Sequence, residues 1–178
     1  MPRLFLALLL LFTARVSADR LEPRVLFLGD SITYGGNWTV YVESAIRAQH
    51  GLSRATIVNM GLSSETTSGL SEPGHAGGSF PRPDLHERLG RVLAQFKPTL
   101  VVACYGINDG IYQPLDAVRQ LAFQDGIIRL RLACIRSGAQ VIIVTPPLYA
   151  PDNRAKDVIN YDGVMEAYGA WLVAQRSA

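Results

Sequence analysis

The chain has 178 residues, 48% of them hydrophobic, with 17 Lys+Arg against 15 Asp+Glu, a formal net charge of +2, and two cysteines. That near balance of charge leaves no electrostatic footprint for nucleic acid. No Cys/His cluster has metal-ligand spacing, and Cys104 and Cys134 fall in a strand-like and a helix-like apolar pattern that suit small buried hydrophobes better than a disulfide.

Residues 1–18 combine Arg3, an apolar run from Leu4 to Phe12, and the small-residue stretch Val16-Ser17-Ala18 before Asp19. This is the pattern of a signal peptide cleaved after Ala18, which predicts a secreted or periplasmic protein. The apolar run falls short of the roughly 20 residues that span a bilayer, so no stable membrane anchor is expected. Cleavage removes Arg3 and Arg15 and leaves a formally neutral domain over 19–178, long enough for one hydrophobic core.

Within that domain, Val25-Leu26-Phe27-Leu28 reads as a strand buried on both faces and runs straight into Gly29-Asp30-Ser31. A helix is expected from Thr39 to Gln49, with Gly51 just past its end, and "ATIVNM" is a second strand. Residues 63–83 are rich in Ser, Gly, Pro and Thr, and a structureless stretch of that length is usually functional or disordered. Asp84 and Glu87 have capping-box spacing ahead of Leu85, Leu89, Val92, Leu93 and Phe96, a one-sided helical pattern ended by Pro98. "TLVVACYG" is a third strand, a helix spans about Leu115 to Ser137 before Gly138, and "QVIIVTPP" is a fourth strand. From Tyr161 onward, Val164, Tyr168, Trp171 and Leu172 share a helical face. Alternating β and α segments predict a flavodoxin-like, three-layer α/β/α fold around a parallel sheet.

In such sheets chemistry sits at the carboxyl ends of the strands. Three of those ends carry "GDSIT", "NMGLSSETT" and "GINDG". A serine at the first is a nucleophile if a base takes its proton and nearby donors hold the oxyanion. Ser31 is that serine; its own N–H lies near the oxygen that would form, and the side-chain amide of Asn108 is a second donor. The bland alternatives are a capping serine and an Asn-Asp-Gly turn. A cofactor-binding flavodoxin-like protein is a further alternative, although neither G-x-x-x-x-G-K-[ST] nor G-x-G-x-x-G occurs. Nor is this a G-x-S-x-G elbow, because Thr33 stands at the second glycine position.

These blocks, in this order and on these strand ends, resemble those of the SGNH, or GDSL-type, hydrolases, over about residues 24–178. The resemblance implies an esterase or lipase without cofactor or metal, acting on a small-molecule or polysaccharide ester through Ser31, with Gly106, Asn108 and Asp109 as the G-x-N-D block. It also implies a backbone donor five positions after Asn59, which lands on Ser64, with Gly61 the alternative. Trp38, Tyr34, Tyr105 and Tyr112 lie near the motifs and suit either packing or stacking on a sugar ring, hence a lean toward carbohydrate deacylation. The family's D-x-x-H block does not occur in this sequence, whose histidines are His50, His75 and His86. His50 and His86 read as surface residues, and His75, in "PGHAGG", is a candidate replacement base. The missing block leads to the expectation that a C-terminal strand and helix carrying it are absent, so that the chain is a catalytically incomplete fragment or a non-catalytic binding module of the same fold.

Overall fold

Strands and helices alternate through residues 22–49, 54–149 and 159–177, the parts described by this computed structural model. The expected signal segment and His50 lie outside the described residues. Four strands, β1 (Arg24–Gly29), β2 (Thr56–Asn59), β3 (Leu100–Cys104) and β4 (Gln140–Val144), form one parallel sheet in the order β2-β1-β3-β4. The register pairs Phe27 with Asn59, Gly29 with Cys104, and Cys104 with Val144, so the carboxyl ends of all four strands meet one edge of the sheet.

Alternation along β1 sends its side chains into two separate cores. Val25 and Phe27 pack with Val102 against Trp38, Val42 and Ile46 of helix α2 (Asn37–Ala48). Leu26 and Leu28 face the other way, with Val101 and Ala103, toward α3 (Leu85–Phe96), α4 (Ala117–Arg136) and α5 (Tyr161–Ala174). The sheet is thus covered on both faces, the three-layer arrangement that the alternation implies. On the thicker side the Phe123 and Tyr168 rings stack 4.3 Å apart at 8°, joining α4 to α5.

The helix boundaries follow local chemistry. Asp84 caps α3 by accepting from the His86 N–H at 2.8 Å, and Asp116 caps α4 by accepting from the Arg119 N–H at 3.0 Å. Helix α2 starts at Asn37, earlier than the apolar pattern indicates, because Gly36 turns at φ 80° and its carbonyl accepts from the Thr39 hydroxyl. Residues 63–83 hold no strand, yet Glu65, Thr66 and Thr67 are fully buried, and a 3₁₀ turn spans His75–Gly78. Cys104 and Cys134 are buried and unpaired, and burial pushes their thiols up to about 12 and about 11. Among the described residues, no helix is long and apolar enough to cross a membrane.

Candidate active site

β1 ends on a glycine for reasons of space. A Cβ at Gly29 would lie 2.0 Å from Thr33 Oγ1 and 2.7 Å from the Cys104 carbonyl, so close packing rather than a special dihedral requires glycine here. The next residue, Asp30, is buried and caps the short helix α1 (Ser31–Tyr34), its Oδ1 accepting from the Ile32 N–H at 2.9 Å. Capping therefore falls to Asp30 and leaves Ser31 exposed, with no hydrogen bond to its hydroxyl among the described residues. Burial raises the Asp30 carboxyl to about 6 against the pull of the Ile32 N–H, and the nearby Asp109 and Glu65 charges push the same way as burial.

The second block locks onto the first. Asn59 Nδ2 donates to the Thr33 carbonyl at 2.7 Å and to Thr39 Oγ1 at 3.4 Å, while its Oδ1 accepts from the Gly61 N–H at 2.9 Å. Gly61 has thus spent its donor, and its Cα is so close to α1 that a Cβ would lie 2.3 Å from the Tyr34 nitrogen. The Leu62 N–H donates to the Gly29 carbonyl at 2.8 Å, tying the loop to the end of β1. Ser64 follows at φ 66°, in the left-handed region that favours glycine, and its N–H has no partner among the described residues.

The third block meets this loop from β3. Gly106 sits at φ 133° with its Cα against Pro146. Asn108, only 4% exposed, donates from Nδ2 to the Glu65 carbonyl at 3.3 Å and accepts at Oδ1 from Arg82 Nη1 at 2.9 Å. One of its two amide hydrogens remains unspent. Asp109 is fully buried; its Oδ1 accepts from the Thr67 N–H, the Thr67 hydroxyl and the Ser68 N–H at 2.8–2.9 Å, while Oδ2 has no partner among the described residues. Burial holds this carboxyl above its ordinary value. Glu65 is also wholly buried, forked by Arg88 at 2.5 and 2.7 Å and held by the Tyr105 hydroxyl at 2.6 Å.

Ser31, Ser64 and Asn108 are thereby linked through two short bridges, Leu62 to Gly29 and Asn108 to Glu65. The histidines are placed differently. His75 Nδ1 lies 3.5 Å from Glu72 Oε1 and its ring is edge-on to Phe80, with Nε2 enclosed and without a partner among the described residues. His86 is half-buried rather than a surface residue; its Nε2 is enclosed too, and burial lowers its basicity. Of the four aromatics near the motifs, Tyr105 is buried on Glu65 and Trp38 packs edge-on against Phe27 at 5.2 Å. Tyr34 remains 69% exposed and Tyr112 37% exposed, the latter stacked on Tyr161. The roles of Glu65, Glu72, Arg82 and Arg88 escape a motif reading; the one signal for the first three is that acids and an arginine interrupt an otherwise Ser/Gly/Pro-rich stretch, and Arg88 lies beyond it in α3.

Residues 27–177 match the GDSL-like Lipase/Acylhydrolase family. The chain belongs to that family. Solved structures with the same fold include a protein described as lipolytic, of the G-D-S-L family, from Desulfitobacterium hafniense, at TM-score 0.61 and 19% identity, covering 86% of this chain and 71% of that one. An acetylxylan esterase from Geobacillus stearothermophilus, in a catalytic mutant form, gives TM-score 0.61 at 20% identity over 88% and 74%. A lipase/acylhydrolase from Enterococcus faecalis gives 0.56 at 20% identity over 86% and 72%. A search of curated protein sequences found no match.

Proposed function

We propose that the protein hydrolyses carboxylic esters by acyl transfer through Ser31. The observation that carries this reading is an exposed, unspent serine hydroxyl at the end of β1, linked to an unspent N–H on Ser64 and an unspent amide hydrogen on Asn108. Ser31 Oγ attacks the ester carbonyl and the π pair moves to oxygen. The oxyanion is held by the N–H groups of Ser31 and Ser64 and by Asn108 Nδ2. Collapse expels the alcohol with the serine proton, and water then releases the acid from the acyl-serine. Donors fixed in place before reaction are worth the most, since nothing reorganises as charge develops. Ser64 is preferred over Gly61 because the Gly61 N–H is already bonded to Asn59. The exposed rings of Tyr34 and Tyr112 and the fold shared with an acetylxylan esterase support an acylated carbohydrate as substrate. The apolar run before Ala18 supports export.

A base must come within about 2.6–3.2 Å of the serine hydroxyl. Both described imidazoles keep Nε2 enclosed, which favours a second reading, a binding module of the same fold. A fluorophosphonate probe separates the two. Labelling of the chain that disappears in Ser31→Ala supports the hydrolase, and labelling unchanged by that substitution overturns the nucleophile. A chain that neither labels nor cleaves p-nitrophenyl acetate but retains acylated oligosaccharide supports the binding module.

A further inference from the structure

We infer that Arg82 is a positioning residue for the oxyanion site, fixing which way round the Asn108 amide sits and so aiming its N–H₂ at the developing charge. The inference rests on the hydrolase reading above. A guanidinium carries five N–H donors and no acceptor. The Asn108 atom that meets Arg82 Nη1 at 2.9 Å is therefore the oxygen, and the nitrogen must face the opposite side, toward the Glu65 carbonyl and the space beside Ser64. Turning the amide over would set N–H₂ against guanidinium on one side and oxygen against a carbonyl oxygen on the other. Both contacts change from bonded to repulsive, so Arg82 and the Glu65 carbonyl select the same orientation, and Arg82 supplies the shorter and charge-assisted of the two bonds.

Arg82 is itself immobilised. It is 7% exposed; its Nε and Nη2 fork the Glu72 carboxylate at 2.6 and 2.7 Å, its N–H donates to Ser71 Oγ at 3.0 Å, and its guanidinium carbon lies 5.4 Å from the Tyr112 ring centre. Such a bidentate pair fixes the guanidinium plane as well as its position. The same hydrogen bond draws electron density from the Asn108 amide and makes its remaining N–H a better donor, since linked hydrogen bonds polarise one another. None of the three motif blocks contains Arg82; it arrives from the far end of the glycine-rich loop, which the Glu72–Arg82 fork closes.

The experiment follows the Asn108 side-chain amide by ¹⁵N NMR in the full chain, with its signals identified by their loss in Asn108→Ala. In Arg82→Met, of similar length but without donors or charge, the Asn108 pair should shift and exchange faster while the Asn59 pair stays in place. On p-nitrophenyl acetate, kcat should fall about 10²-fold with KM within about twofold, comparable to the loss of one oxyanion donor. Arg82→Met should cost nothing further in Asn108→Ala, whereas a merely structural role would add its cost there. Arg82→Lys keeps the charge and a single donor nitrogen but not the fork, and should recover part of the kcat; it serves as the test variant if the methionine variant does not fold. Unchanged Asn108 signals in a folded Arg82 variant overturn the inference. A parent in which the signals respond as expected but no ester is cleaved overturns the hydrolase reading and leaves the orientation standing.

Discussion

Ser64 and Gly61 make opposite demands on their side chains, and exchanging those side chains tests the geometry of the second block. At φ 66° a Cβ costs about 1–2 kcal/mol, while replacing it by hydrogen frees the unfolded chain by about 0.5–1 kcal/mol. Ser64→Gly should therefore change stability by between nothing and about 1.5 kcal/mol in the favourable direction, where an X→Gly exchange ordinarily weakens a protein. For a domain of this size that is a rise in Tm of up to about 5 °C. Gly61→Ala should do the reverse. Its Cβ would meet the Tyr34 nitrogen at 2.3 Å and the Thr33 carbonyl carbon at 2.7 Å, both backbone atoms of α1, so the helix bearing Ser31 must move. Overpacking of this kind costs about 1–3 kcal/mol. Thermal and urea unfolding measure both changes, and ester cleavage should survive Ser64→Gly, which keeps the N–H, but not Gly61→Ala. Proline at 64 is a poor probe, since its ring holds φ near −65° and would distort the loop as well as remove the donor. A Ser64→Gly variant less stable than the parent by more than about 1 kcal/mol, or a Gly61→Ala variant as stable as it, would refute the reasoning.

Asn108→Ala should lower kcat about 10²- to 10³-fold with KM little changed, read from steady-state kinetics. Asp30 binds its proton more tightly folded than unfolded, so its share of the stability falls as pH rises from 3.8 to about 6 and levels off above, a change of about 3 kcal/mol. Asp30→Asn keeps a capping oxygen and should flatten that slope; unfolding curves of the two proteins that run parallel between pH 4 and 7 would count against it. Gly126→Ala on α4 would bring a Cβ within 2.2 Å of the Thr67 carbonyl, and should lower Tm by several degrees through the loop that Asp109 anchors.

The sheet and helices were legible because each rests on a local rule. Val25 to Leu28 read as a doubly covered strand, Asp84 as a cap, and Gly138, at φ 84°, as a helix stop. Asn108 and Ser64 were legible as motif positions, since strand-end placement needs only the order of the blocks. The supporting shell was not legible. Glu65 reaches Arg88 and Tyr105 across 23 and 40 residues, and Arg82 reaches Asn108 across 26, so no local pattern announces them. His86 read as a surface residue, yet α3 turns that side chain partly inward. The need for glycine at 29 comes from Thr33 and Cys104 at its Cα, neighbours that only the packed structure brings there.

The loop after β2 is pinned at nearly every step, by Leu62 on Gly29, Glu65 on Arg88 and Tyr105, and Thr67 and Ser68 on Asp109. The following stretch, from Gly69 to Pro81, is attached mainly through Ser71 and Glu72 to Arg82, with Gly74, Gly77 and Gly78 at positive φ and open space around their Cα atoms. Variation is thereby partitioned between neighbours on one chain. The first arch resists replacement at Gly61, Glu65 and Thr67, each of which answers to a partner or a close backbone neighbour elsewhere in the fold. In the second, the Cα atoms of Gly74, Gly77 and Gly78 face open space, so new side chains and insertions there should leave the fold intact as long as Glu72 and Arg82 still clasp.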